Sequence, residues 1–140
     1  MVARVFALTA IGLGLAGWAI AQNGNKDLDK LQGRWVTDKE EKDLTAEFTF
    51  DKNNFSIVLA GKSGFKGTFK IDPSKKPGQM DMTVTEGEKY KGETSLVIYQ
   101  FDGDTLKWCA NEPGKKDRPK EFPKKPGDGK YLYLVLKRAK

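Results

Sequence analysis

Residues 31–35 read LQGRW, which places a glycine two positions ahead of a tryptophan at the start of a strand-like run. Glycine weakens strands, and tryptophan is large and tends to be buried. A first strand that begins in this way therefore needs a structural reason for both the glycine and the tryptophan. The pattern of the following residues indicates which fold provides that reason.

From this point the sequence alternates with period two, and turn residues interrupt it about every ten positions, which is typical of all-β proteins. The alternation predicts eight strands, over residues 34–38, 44–51, 54–60, 65–72, 79–85, 94–101, 105–110 and 130–137. Short turns join most neighbouring strands, so the expected topology is an antiparallel meander. Eight such strands can close into a barrel without free edges, and an open or sandwiched sheet is the alternative.

The first 21 residues have the pattern of a secretory signal peptide. Arg4 provides the positive end, residues 5–20 are apolar, and AIA at 19–21 matches a cleavage site. Cleavage after Ala21 predicts an exported protein, periplasmic or secreted, of 119 residues. The alternative is an uncleaved membrane anchor, for which the apolar run is short.

Two further segments complete the predicted organisation. Residues 22–30 are polar and predict a linker that ends in a short helical turn, with Leu28 and Leu31 three positions apart on one face. Residues 31–140 then form the barrel domain.

The composition excludes several kinds of chemistry. The chain has no histidine, which removes Ser-His-Asp and Cys-His catalysis and His-ligated zinc. It has no phosphate-binding glycine loop and no nucleophile elbow. We therefore expect no enzyme, cofactor or metal site, and catalysis by scattered carboxylates is the weakest alternative. The single cysteine, Cys109, lies in the apolar run LKWCA and is interpreted as a buried small hydrophobe.

The formal net charge is +6, and much of the excess lies in residues 112–130, which carry seven basic and four acidic side chains. This lysine-rich segment is interpreted first as a solvated loop whose lysines serve solubility. The alternative is contact with an anionic surface. The basic residues considered for the contact are Lys115, Lys116, Arg118, Lys120, Lys124 and Lys125. Nothing in the segment is a specific signal for nucleic acid, and a membrane is expected only through the signal peptide.

A Gly-x-Trp at the start of the first strand, an eight-stranded meander and an arginine after the last strand resemble the lipocalin and wider calycin pattern. The spans FKIDPSKKPGQMDMTVTEG and IYQFDGDTLKWC are similar to a lipocalin-like exported domain expanded in planctomycete bacteria, which carries over no biochemical function. The resemblance implies that Trp35 closes one end of the barrel and that Arg138 packs across it. A guanidinium over an indole gains cation–π energy, and Gly33 lets the chain pass the ring without a Cβ.

The inward faces of the strands are the candidate ligand site. Their side chains would line or fill the barrel: Phe48, Phe50, Phe55, Ile57, Phe69, Met80, Met82, Val84, Tyr99, Leu106, Trp108, Leu132 and Leu134. An eight-stranded barrel is either filled by its side chains or just wide enough for one small ligand. The sequence leaves two functions open: a binding module for a small apolar or amphipathic molecule, with Tyr99 or Trp108 as a polar handle, and a filled structural domain that meets an anionic partner through residues 112–130.

Overall fold

The structure is a computed structural model that describes residues 26–37, 45–59, 62–124 and 129–139. The expected signal peptide at 1–21, the first part of the polar linker and Lys125 lie outside the described residues. The predicted helical turn is confirmed as a short helix, α1, at residues 26–31. Within the described ranges, no helix is long and apolar enough to cross a membrane.

Eight strands follow α1 and form a closed antiparallel barrel in the order of the sequence, with β1 paired to β8. The strands are β1 Gly33–Thr37, β2 Ala46–Asp51, β3 Asn54–Leu59, β4 Lys62–Asp72, β5 Gly78–Glu86, β6 Thr94–Asp102, β7 Thr105–Ala110 and β8 Leu132–Arg138. The all-β meander predicted from the alternation is confirmed, and the open or sandwiched sheet is wrong. The architecture is consistent with a lipocalin-like fold.

The observed strand ends differ from the predicted ones mainly at β4. The turn was expected at residues 61–64, but β4 already begins at Lys62 and runs for 11 residues. Gly64 makes this possible because a Cβ at that position would lie 1.9 Å from the carbonyl oxygen of Ile57. The register between β3 and β4 shifts between Ile57 and Leu59, so the two strands come together irregularly at this end.

One end of the barrel is closed by α1 and by the residues of the opening motif. Trp35 is buried, and its indole Nε1 donates a hydrogen bond to the carbonyl oxygen of Leu31, 2.8 Å away. The guanidinium of Arg138 lies over the Trp35 ring. Gly33 has φ +108°, and a Cβ there would lie 3.1 Å from Nη1 of Arg138. The glycine therefore makes room for the guanidinium rather than for the indole ring.

The chain between β7 and β8 packs against the outside of the barrel. Ile98, Cys109 and Tyr133 are neighbours in register on β6, β7 and β8, and they form a small apolar cluster with Phe122 from this segment. Cys109 has no exposed surface, which confirms its interpretation as a buried hydrophobe. The cluster also explains why β6 is apolar on both faces, because Val97 and Tyr99 belong to the core cluster while Ile98 belongs to the outer one.

Candidate functional site: a cavity at the open end of the barrel

A half-open cavity of about 510 Å³ occupies the barrel at the end opposite α1. Inward side chains of the strands form most of its wall, and residues of the β5–β6 and β7–β8 connections form its rim. The lining residues are Phe48, Phe55, Ile57, Leu59, Phe65, Met82, Val84, Tyr90, Ser95, Trp108, Ala110, Asn111, Glu112, Pro113, Lys130 and Leu132.

The other half of the barrel is filled by side chains. Phe50 and Phe69 pack edge to face, with ring centroids 5.1 Å apart, and both are buried. Met80 and Leu106 have no exposed surface. From the sequence, the barrel could be either filled by its side chains or hollow enough for one small ligand. The half next to α1 is a packed core, and the half away from it is hollow.

The structure divides the ten residues predicted for ligand binding between these halves. Five line the cavity: Phe48, Phe55, Ile57, Met82 and Trp108. The other five belong to the packed core and not to the cavity wall: Phe50, Phe69, Met80, Tyr99 and Leu134. Leu132, expected on the inner face, does border the cavity, but it is 40% exposed because it lies at the rim.

Trp108 is the central aromatic residue of the cavity wall. Its ring meets Phe48 edge to face at 4.8 Å between centroids, and only 4% of its surface is exposed. Its Nε1 is the one buried side-chain nitrogen or oxygen among the described residues that has no hydrogen-bond partner. Trp35, the tryptophan at the closed end, has a bonded Nε1. A buried donor without an acceptor is unfavourable, so the two ends of the barrel differ in how completely their polar groups are satisfied.

Tyr99, the other polar handle considered from the sequence, faces the opposite end. Its hydroxyl donates to Oδ2 of Asp27 in α1, 2.7 Å away. Burial, and then this bond to a carboxylate, raises the pKa of Tyr99 above its ordinary value. A second, more open hollow of about 620 Å³ lies beside it, between α1 and the turn that carries Lys75 and Lys76. Since Tyr99 and Asp27 bond to each other, they fasten α1 to the barrel rather than offer groups to the cavity at the other end.

The rim of the cavity carries polar groups from two connections. Tyr90, in the loop between β5 and β6, packs its ring against Phe65 at 5.8 Å, and its hydroxyl donates to Oε2 of Glu112 at 2.7 Å. This bond to a carboxylate raises the pKa of Tyr90. This hydrogen bond therefore connects two loops of the rim, the β5–β6 loop and the start of the β7–β8 connection.

The remaining polar groups at the rim differ in how firmly they are held. Ser95 donates its hydroxyl to the carbonyl oxygen of Asn111, and the side chain of Asn111 bonds to backbone atoms of Glu112 and Asp117. Lys130 is freer, because its Nζ lies 3.6 Å from Oδ2 of Asp117 and both side chains are more than two-thirds exposed. Such an exposed ion pair contributes little.

The lysine-rich segment lies partly at this rim and partly along the outer wall. The guanidinium of Arg118 donates to the carbonyl oxygens of Met80 and Val97 and to Oδ1 of Asp81, so it is committed to holding the segment on the barrel. Of the described basic residues considered for the anionic contact, four are exposed: Lys115, Lys116, Lys120 and Lys124. The expected anionic contact therefore has four described lysines available, whereas Arg118 serves the fold.

Several residues that line the cavity were not predicted from the sequence, among them Tyr90, Ala110, Glu112 and Lys130. Tyr90 and Glu112 lie in connections, where no period indicates which way a side chain points, and only the closure of the barrel brings them to one rim. Among the described residues, no group of three or more His, Cys, Asp or Glu side chains could hold a metal ion.

Comparison of the chain with protein-family models, curated proteins and solved structures gave no significant match. The resemblance to a planctomycete family therefore has no support from these comparisons. The fold and the cavity are the observations that bear on function.

Proposed function

We propose that this protein is a non-catalytic binding domain that holds one small apolar or amphipathic molecule in the open half of its barrel. The observation that carries this proposal is the cavity of about 510 Å³ with an apolar wall. Ligand sites are typically concave, mostly apolar and of roughly 300–1,000 Å³, with a few polar groups that set orientation.

The position of the cavity favours a preformed site. The packed half of the barrel and the closure by Trp35 and Arg138 hold the strands without a ligand. A ligand that enters the open half gains apolar contact with Phe48, Ile57 and Met82 without having to order the chain around it. The main free-energy cost of binding is then the ligand's own loss of translational and rotational freedom.

The proposal also includes the location of the protein and its family. The pattern at residues 1–21 supports export after cleavage near Ala21. Membership of the planctomycete lipocalin-like family is likewise a proposal, supported by the spans at 69–87 and 98–109.

A second function, contact with an anionic partner through the lysine-rich segment, is supported by the exposure of Lys115, Lys116, Lys120 and Lys124. Binding of the full chain to heparin at increasing salt tests it. Affinity should fall steeply as salt rises and should be lost when these four lysines are changed to glutamine. Affinity that does not depend on salt would contradict it.

The binding proposal is tested with N-phenyl-1-naphthylamine, an uncharged apolar probe whose fluorescence rises when it leaves water. Titration of the full chain should give saturable binding at one site. Ala110 is buried in the cavity wall, so Ala110→Phe should fill the open half and weaken binding about tenfold or more.

The matched control is Ala139→Phe, the same substitution beside the closed end, where the backbone nitrogen of Ala139 bonds to the carbonyl oxygen of Arg34. It should leave probe affinity unchanged. Met82→Ala enlarges the cavity and provides a second variant if Ala110→Phe does not fold. An absence of saturable binding, or equal binding by Ala110→Phe and Ala139→Phe, would contradict the proposal.

A further inference from the structure

The cavity wall has a polarity gradient along the barrel axis. The part of the wall that the strands form contains no ionisable group, and its side chains include Phe48, Ile57, Met82 and Trp108. The charged residues that border the cavity, Glu112 and Lys130, belong to the connection between β7 and β8 at the rim. A charged ligand group placed deep in the barrel would lose its water without a partner charge, which is strongly unfavourable. An amphipathic ligand therefore binds with its apolar part inward and its charged group at the rim.

The two rim charges are not equally available to a ligand. Glu112 already accepts a hydrogen bond from Tyr90. Lys130 has three donors and a largely exposed side chain. Its Nζ lies 3.6 Å from Oδ2 of Asp117 and 5.0 Å from the ring centroid of Tyr131, and it also forms a hydrogen bond with the Tyr131 side chain. The connection that supplies both residues also carries the exposed Lys115 and Lys116 and has an excess of three positive charges over residues 112–130. The more available rim charge and the net charge of the connection that carries it are both positive.

We propose that the ligand is an anionic amphiphile, with an apolar chain in the open half of the barrel and a carboxylate or phosphate head beside Lys130. This inference rests on the proposed binding function and adds to it the charge of the ligand and its orientation. It also gives the lysine-rich segment and the cavity, which the sequence assigned to separate hypotheses, one shared role.

The test compares ligands that share one chain and differ in the head. Dodecanoate, dodecyl phosphate, dodecanol and dodecyltrimethylammonium are each used to displace N-phenyl-1-naphthylamine from the full chain, below their micelle concentrations and at neutral pH. The two anions should bind roughly two- to fivefold more tightly than the alcohol, as expected for an exposed ion pair, and the cation should bind most weakly. Raising the salt should remove the advantage of the anions.

The variant Lys130→Gln should reduce the affinity for both anions to that for dodecanol while leaving the affinity for dodecanol unchanged. Lys124→Gln is the matched control, because Lys124 is exposed on the same connection but does not line the cavity. It should keep the preference for anions. The comparison of dodecanoate with dodecyl phosphate shows which of the two head groups the rim favours.

Four results would overturn the inference. Equal affinity for all four heads, or tightest binding of the cation, would do so while leaving the binding function intact. Loss of the anion preference in Trp108→Phe but not in Lys130→Gln would place the head inside the barrel. Failure of the uncharged probe itself to bind would instead contradict the proposed function, and the inference with it.

Discussion

The guanidinium of Arg138 lies over the indole ring of Trp35, with its Cζ 4.2 Å from the ring centroid. The two residues are paired in register, so the contact joins the last strand to the first. The same guanidinium donates to the carbonyl oxygens of Gln32 and Lys30, at the end of α1. One side chain therefore holds the barrel seam, the helix and the buried tryptophan together.

Replacing Arg138 by alanine should destabilise the fold by about 2 kcal/mol, because it removes a cation–π contact and two charged hydrogen bonds to backbone carbonyls. For a domain of this size, that corresponds to a Tm lower by roughly 6–10 °C in a thermal scan. Arg34→Ala is the control, since the Arg34 side chain pairs with Glu47 on the exposed surface and its loss should change Tm little. Equal shifts for the two variants would rule out a special role for Arg138.

Phe69 and Met82 are paired across β4 and β5, yet only Met82 lines the cavity. Phe69 belongs to the packed core, so Phe69→Ala should cost about 3–5 kcal/mol of unfolding free energy in a urea titration. Met82 borders the cavity, so Met82→Ala should cost less, about 2 kcal/mol, and should change the affinity for the apolar probe. An affinity change of the same size in a folded Phe69→Ala variant would contradict the division into two halves.

Arg118 holds the β7–β8 connection against the outer wall, where that connection packs on Cys109. Arg118→Ala should loosen the segment and make the Cys109 thiol react faster with Ellman's reagent under native conditions, because three hydrogen bonds of Arg118 are lost. Lys116→Ala, in the same segment but exposed, should leave the rate unchanged. Equal rates in Arg118→Ala and the parent protein would show that Arg118 does not keep the cysteine covered.

Burial raises the pKa of the Cys109 thiol from 9.0 to about 11. Well below pH 9 the thiol is protonated in both the folded and the unfolded chain, so its contribution to stability is fully present and does not change with pH. Between pH 9 and pH 11 the unfolded chain loses this proton first, so the stability from the buried neutral thiol falls as pH rises. The parent protein should therefore lose on the order of 1 kcal/mol more than Cys109→Ala over this range, measured by urea midpoints at each pH. Parallel pH profiles for the two proteins would show that the thiol pKa is not raised by folding.

Much of the fold could be predicted from local pattern. The period-two alternation identified all eight strands and their inner faces, because side chains alternate across a strand whatever its neighbours are. The largest difference between predicted and observed strand ends is at the start of β4. A turn was expected at residues 61–64, but β4 begins at Lys62, and Gly64 lies close to the backbone of Ile57. A close approach of this kind is a property of two strands together, and no single segment signals it.

The candidate site could be predicted only in part. Phe48 and Phe50 are two residues apart on one face of β2, and since both are phenylalanines the sequence does not distinguish them. Phe50 fills the core and Phe48 borders the cavity, because only the level of each residue along the barrel axis separates them. Tyr90 and Glu112 are 22 positions apart in irregular connections, and their hydrogen bond exists only once the barrel has closed.

The sequence by itself determined the strand pattern, the inward faces and the absence of histidine chemistry, because these depend on residue types and on the fixed geometry of a strand. It also marked Trp35, and through the resemblance Arg138, as partners at one end. The tertiary structure alone decided that one half of the barrel is packed and the other hollow, and that the lysine-rich segment meets the rim of the hollow half. The reason is physical: a cavity is the volume that remains after distant side chains have packed, and that volume depends on how all eight strands are placed around it.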